Sequence, residues 1–403
     1  MKRTGRGIVP IALIALGTWA GAGQDARGAD RRPLPKFERV VIDDAFPGGY
    51  QVEVADVNGD GKPDVVGVGG GTCAWYENPS WTKRIVTSEA RTPGIISSAT
   101  ADLDGDGKAE IAIAHEFAMD KPSRGKLVLA TRGPGLEDAW SLAPIAEVGS
   151  IHRLRWGDFD GDTRPELAVA PIFGPMARGP KFDQDAAQVV VFRPGADPRR
   201  GAWEVEAVGA RPVLHAIDVV DFDGDGRSDL LGANGLGVAW WGRKAGAGKD
   251  WSDRTIAAGG EGQAGCSEVH VGRLADGTRF LATIDPWHGN EVAIRAALGA
   301  SEFGPRRVID ATLAEGHALW VADVDGDGDD EVFAGHRGRD ARVSAYDFDG
   351  KDWVRTVLDD RLTAQDLRGG DLDGDGTPDV VAIGGQSHNV VWYRPVAVPK
   401  KPD

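Results

Sequence analysis

One acidic nonapeptide, written six times, restricts what this chain can fold into. Asp221-Phe-Asp-Gly-Asp-Gly-Arg-Ser-Asp229 carries carboxylates at its positions 1, 3, 5 and 9 and a glycine at position 6. Oxygens on alternate residues turn inward around a hard cation, and the glycine permits the sharp turn between them. Position 7 offers only its backbone carbonyl, so its side chain is free to vary. The ligand positions are Asp56, Asn58, Asp60 and Asp64; Asp102, Asp104, Asp106 and Glu110; Asp158, Asp160, Asp162 and Glu166; Asp221, Asp223, Asp225 and Asp229; Asp323, Asp325, Asp327 and Glu331; and Asp371, Asp373, Asp375 and Asp379. As bare solvated turns these 23 carboxylates would repel one another. Calcium with a structural role, in about five or six sites, is the expected occupant. The third copy departs from the pattern, with Thr163 where the others place glycine.

A seventh unit, Gly272 to Phe280, aligns in the largest gap and keeps only Asp276 of its four ligand positions, so it should hold no ion. First-ligand positions then fall at 56, 102, 158, 221, 272, 323 and 371, spaced by roughly 46 to 63 residues. A strand-rich unit with a period near 50 residues is characteristic of propeller blades. Each acidic loop precedes an apolar run such as Val65-Val-Gly-Val68, then a strand ending in aromatics (Trp75-Tyr76, Trp240-Trp241, Trp392-Tyr393). A fourth, alternating strand follows, as in Trp203-Glu-Val-Glu206. Phe37 to Ile42 reads as an orphan fourth strand, whereas the chain's last strand, Val390 to Tyr393, is a third. Pairing the two closes the ring and removes its edges. The expected fold is all-β: a seven-bladed propeller over 36–396 with four-stranded blades, the N-terminal strand completing the last one.

The loop spacing resembles the first half of an EF-hand loop, and the repeat as a whole resembles the FG-GAP/VCBS class of calcium-loop propellers. Residues 1–22 read as an export signal: Lys2, Arg3 and Arg6 precede the apolar Ile8 to Leu16, and Ala20-Gly21-Ala22 offers a cleavage site. Residues 23–35 look like a flexible tether and 397–403 like a tail. A periplasmic or extracellular protein without a membrane span follows, since no later apolar run is long enough to cross a bilayer. The net charge of −16 becomes −19 without the signal, and six calcium ions would return it to −7. That acidity argues against nucleic acid as a partner. Cys73 and Cys266 fall in blades one and five, too far apart for a disulfide.

In such a blade the first strand descends to the acidic loop and the second climbs back. The start of the first and the end of the second therefore share the opposite pole. Six residues ahead of each loop stand Tyr50, Ile96, His152, His215, Cys266, His317 and Gln365. Thirteen residues after each loop's first position come Gly69, His115, Pro171, Asn234, Asp285, His336 and Gly384, with His288 and His388 a little further on. Seven of eight histidines thus map to one rim. A ring of imidazoles suits a divalent metal such as Zn2+, or acid–base work near neutral pH. Arg153, Arg155 and Arg368, with Lys181 in the insertion 172–183 of blade three, would add positive charge for an anionic or carbonyl-bearing substrate. The insertion, rich in Gly and Pro, should form an ordered loop over the funnel. Trp287 and Trp320 lie near the same pole, where Trp287 could stack on a sugar and Trp320 belongs with core packing.

The stretches Ala282 to Val292, containing Asp285-Pro-Trp-His288, and Gly316 to Asp323 resemble the propeller domain of the aldos-2-ulose dehydratase group. That resemblance implies a carbon–oxygen lyase acting on keto-sugars. A histidine would remove a proton α to a carbonyl, a metal or cation would hold the enolate, and an acid would assist the leaving oxygen. It carries over to His152, His215, Asp285, His288 and His317 without dividing base from ligand. His115, His336, Lys181 and Arg155 complete the candidate catalytic set. The cupin domains that follow the propeller in that group have no counterpart in this sequence. The competing expectations are a non-catalytic propeller that binds carbohydrate or a protein partner, and a polysaccharide lyase.

Overall fold

The computed structural model describes residues 32–200, 202–244, 250–259 and 265–396. The expected signal segment, the tail and residues 23–31 of the tether lie outside them. The described elements are 28 strands in seven four-stranded antiparallel sheets, with no helix among the described residues. Blade one is Gly49–Ala55, Asp64–Gly69, Thr72–Glu77 and Thr82–Thr87, in that spatial order. Later blades open with Ser97–Ala101, Ile151–Gly157, Ala216–Val220, Glu268–Arg273, Gly316–Ala322 and Ala364–Gly370. These first strands touch one another in sequence around the ring, the seventh meeting the first, and so form the innermost wall. The fold is the seven-bladed propeller that the repeat predicts.

Strand position explains residue pattern. Second strands such as Asp64–Gly69 and Asp379–Gly384 are buried along their whole length, which is why they read as continuous apolar runs. Outermost strands such as Thr82–Thr87 and Trp353–Asp359 are exposed over much of their length, because they pair along one edge only. The apolar core is correspondingly divided into seven clusters, each lying between two neighbouring blades. Trp75 of blade one meets Ile111 and Val128 of blade two, and Trp241 of blade four meets Val189 and Val191 of blade three.

The ring closes as expected. Lys36–Asp43 pairs antiparallel with Val390–Val396, in register from Lys36 opposite Val396 to Val41 opposite Val391, and completes blade seven. In blade five the degenerate unit is a tight turn tied to its neighbour: the Ala275 and Arg273 amides donate to Asp329 (2.6 Å) and Asp330 (2.6 Å). Cys73 and Cys266 are free and buried.

Candidate functional site

The six acidic loops share one hydrogen-bond plan. The position 1 carboxylate accepts the amides of positions 4 and 6, as Asp56 does from Gly59 (2.7 Å) and Gly61 (2.8 Å). The position 9 carboxylate accepts the amide of position 2, as Asp64 does from Val57 (3.0 Å) and Glu331 from Val324 (2.8 Å). Thr163 keeps the plan: it adopts φ 70°, close to the 84–92° of the equivalent glycines, and donates to Asp158 at 2.9 Å. A side chain in that region is strained, so the loop geometry outweighs the local preference. In the loops of Asp102, Asp158, Asp221 and Asp323, three carboxylates bring oxygens within 4.8 Å of one another. Burial and neighbouring carboxylates push Glu331 up to about 10 and Asp229 up to about 7. Arg199 reaches Asp104 (2.5 Å) and Glu110 (3.3 Å), and Arg193 pairs with Asp160 and Glu166, so two loops are partly neutralised. The donor set of oxygens alone, on alternate residues, fits a hard cation such as calcium.

At the other pole a bulge aims side chains inward. The pairing of first and second strands slips at Tyr50, His152, His317 and Gln365, so each is the extra residue opposite its partner strand. Such bulges re-aim a side chain. Two residues ahead of the ring histidines, Ser150, Val213 and Glu315 adopt φ of 51, 49 and 57°. A β-branched residue such as Val213 pays for this conformation, and such strain concentrates at functional sites.

The result is a cluster of four imidazoles and a phenol. Ring centroids lie 4.7 Å apart for His152–His215, 4.8 Å for His215–His288, 4.9 Å for His215–His317 and 5.2 Å for His288–His317. Three of these rings are pinned from behind: the Nδ1–H of His152, His215 and His317 donates to the carbonyls of His215 (2.7 Å), Ser267 (2.8 Å) and Gln365 (2.7 Å) in the next blade. Their Nε2 lone pairs therefore face the funnel. Tyr50 Oη lies 2.6 Å from His152 Nε2 and 3.3 Å from His317 Nε2. Arg153 Nη1 also lies against the His152 ring, 3.2 Å from Nδ1 and 3.4 Å from Nε2, but the 2.7 Å contact of Nδ1 to the His215 carbonyl is shorter and places the proton on Nδ1. His288 has the opposite tautomer. Its Nδ1 faces Arg337 Nη2 at 3.3 Å, and a guanidinium can only donate. The proton is then on Nε2, which lies 3.0 Å from His215 Nε2 and donates to it.

The electrostatics keep the ring neutral. Burial, then the charge of nearby Arg153, holds His152 and His215 well below the usual imidazole range, and His317 is lowered by burial and by His215. His288 is lowered to about 2, by burial first. Arg153, itself 2% exposed, lies with its guanidinium 5.4 Å from the Tyr50 ring centre and 3.5 Å from Glu268, whose Oε1 is 3.1 Å from His215 Nδ1. Burial lifts Glu268 to about 7.

The remaining expected residues lie elsewhere. Asp285 is buried in an ion pair with Arg306 (2.7 Å) and Arg295 (3.7 Å). His115 and His336 are buried at the ends of second strands and make none of the ring contacts; His336 Nδ1 faces the Ala314 backbone at 3.2 Å. Second strands lie one step out from the axis, so their final side chains face between sheets. Arg155 is on the inner wall nearer the acidic loops, donating to the Leu154 carbonyl (2.8 Å), and Lys181 is exposed on the insertion. The insertion is ordered over the rim, with Phe173 stacked on Phe182 (4.4 Å) and edge-on to Trp287 (6.0 Å), beside His288 (5.0 Å). Trp320 packs on Phe333 in the core. Tyr50 and Arg337 were not expected. Tyr50 shares the histidine register, which was the available signal, whereas Arg337 looks like any surface arginine.

Ligand atoms of His215, His288 and His317 lie within 4.8 Å of one another, the spacing of a metal site. The donor chemistry does not fit a transition metal such as Zn2+. A metal-bound neutral histidine needs one lone pair toward the ion and its other N–H on an acceptor. Arg337 occupies the Nδ1 side of His288, and the His288 N–H already consumes the lone pair of His215. Two guanidinium groups beside the ring also oppose a dication and favour an anion.

Residues 41–113 match the FG-GAP-like repeat family, and residues 126–297 match the β-propeller domain of aldos-2-ulose dehydratase. Aldos-2-ulose dehydratase of Phanerodontia chrysosporium is 26% identical over 354 residues, a match covering 76% of this chain and 38% of that protein. Among solved structures, a chain of the mitotic checkpoint complex is similar at TM-score 0.54 and 11% identity, covering 95% of this chain and 99% of that one. An Agrocybe aegerita lectin that recognises non-reducing terminal N-acetylglucosamine has TM-score 0.48 and 14% identity, covering 78% and 81%. Neither structural likeness says anything about function. The chain is a seven-bladed β-propeller that resembles the FG-GAP-like repeat family over residues 41–113 and the propeller domain of aldos-2-ulose dehydratase over residues 126–297.

Proposed function

We propose that this protein is an exported propeller, braced by calcium in its acidic loops, that eliminates water from a keto-sugar at the histidine-lined funnel. The observation that carries the reading is the ring geometry: the Nδ1 atoms of His152, His215 and His317 face backbone carbonyls, so their Nε2 atoms converge with that of His288 in a buried site. Elimination next to a carbonyl needs a neutral base on the α-carbon, a donor for the enolate oxygen and a proton for the leaving hydroxyl. The lowered imidazole basicity keeps the base free at neutral pH. Arg337, whose guanidinium can only donate and lies 3.3 Å from His288, supplies the positive charge that holds the developing oxyanion. Phe117, Phe173 and Trp287 line the rim, and Trp287 Nε1 is buried with no partner among the described residues. An aromatic wall with an unspent donor suits a sugar ring.

The resemblance to aldos-2-ulose dehydratase supports a carbohydrate as substrate. The test incubates the purified protein with aldos-2-uloses and 1,5-anhydrofructose and follows an absorbing enone product. His317→Ala should lower kcat by about 100-fold or more. Binding of these sugars without turnover by the wild type would replace the lyase with a carbohydrate-binding propeller. No binding and no turnover would remove the carbohydrate reading.

A further inference from the structure

Tyr50 stands at the point where base and acid of such a reaction must communicate. It is the counterpart, in blade one, of the ring histidines, and the same bulge turns it inward. Its hydroxyl has one proton and two imidazole neighbours. The 2.6 Å contact to His152 Nε2 takes that proton, which leaves His317 Nε2, 3.3 Å from the same oxygen, as the one inward lone pair of the ring without a committed donor among the described residues. Both rings meet Tyr50 edge-on, at 5.7 and 5.3 Å between centres, and Arg153 lies over its face. Neither ring can rotate its Nε2 away, because each Nδ1–H is anchored on a backbone carbonyl.

We propose that the Tyr50 hydroxyl is the proton bridge of the funnel, joining His317, the base that lifts the α-proton, to His152, the imidazole that returns it to the leaving oxygen. This assignment rests on the elimination reading above and divides the roles within it. His317 Nε2 takes the α-proton, and the C–H electron pair becomes the enolate. The new His317 N–H donates to Tyr50 Oη, which passes its own proton to His152 Nε2. His152 then protonates the β-hydroxyl as the C–O bond breaks. The enolate re-forms the carbonyl, with a C=C bond between the α and β carbons. One proton and one hydroxide leave as water, no electrons are gained or lost, and all three side chains return to their starting states. The neighbouring His215–His288 pair stays outside this path, because its one bridging proton is held by the Arg337 contact on His288.

Tyr50→Phe removes only the hydroxyl and keeps the ring contacts. With keto-sugar in D2O, the expected variant still washes deuterium into the α-position, because His317 is intact. Its elimination kcat falls about 100-fold or more while KM stays within about twofold. Full elimination by the variant, or equal loss of exchange and elimination, would overturn the bridge. If the wild type neither exchanges nor eliminates, the lyase reading fails by itself, and imidazole 15N spectra decide the bridge. Wild-type His152 and His317 as Nδ1–H tautomers whose Nε2 signals both shift in Tyr50→Phe would support it. An Nε2–H tautomer at His152, or no shift in the variant, would overturn it.

Discussion

His288 holds φ 50° in the turn after Arg279–Asp285, and that turn is fastened by Gly289 N–H to Pro286 O (2.7 Å) and by Gly316 N–H to Gly289 O (2.8 Å). A non-glycine residue there costs on the order of 1–3 kcal/mol and persists only when its surroundings over-determine it. At the residue scale the account predicts how the ring answers to pH. His215 is neutral in the fold and has an ordinary imidazole in the unfolded chain, so the unfolded state takes up a proton first as pH falls. Its contribution is complete above the unfolded pKa and declines below about 6.5 by up to about 1.4 kcal/mol per pH unit. The stability difference between wild type and His215→Gln should therefore shrink from pH 6.5 to 4.5, as read by urea midpoints. A difference that grows would mean that His215 is charged in the fold. The register of His152, His215 and His317 was visible in the sequence because it is anchored to loops at fixed spacing. Arg337 and Glu268 were not visible in these roles, since their partners come from other blades and nothing local marks them.

Individual strands show the same division. The second strands were readable as apolar runs, and the orphan strand at the N-terminus as the missing piece of blade seven, because burial on two faces and on one leaves different patterns. The bulges were not readable: a one-residue slip in pairing changes no composition, yet it decides which rim residues reach the funnel. Asp285, His115 and His336 shared the expected rim but come from second strands, which face between sheets. A latch recurs between blades. Tyr76, Tyr346 and Tyr393 donate to Asp43 (2.5 Å), Asp310 (2.7 Å) and Asp359 (2.9 Å), and each aspartate also pairs with a base, Lys83, Arg355 or Arg39. Tyr393→Phe should cost about 1.5–3 kcal/mol, the range for a hydrogen bond to a charged group, and lower the denaturant midpoint at unchanged slope. An unchanged midpoint would show that Asp359 is satisfied by Arg39 alone.

Across the whole molecule, charge separates the two poles. The acidic loops crowd carboxylates at one end, the neutral imidazoles with their guanidinium neighbours occupy the other, and Glu268 and Asp366, both lifted to about 7 by burial, lie on the inner wall between. Calcium bound in the loops would stabilise only the folded chain, by about 2.7 kcal/mol for each site at a hundred times its Kd. Chelation should therefore lower the melting temperature. It should do so more at pH 8 than at pH 5, because the loop carboxylates, raised above their unfolded values, lose stability as they ionise with rising pH. Equal effects at both pH values would contradict ion binding by those groups. The central claim, that the funnel works through its own imidazoles, is tested most directly by elemental analysis of the purified, catalytically assayed protein. The account predicts about five or six calcium ions per chain and no stoichiometric transition metal. One zinc or similar ion per chain that disappears in His215→Ala would contradict it.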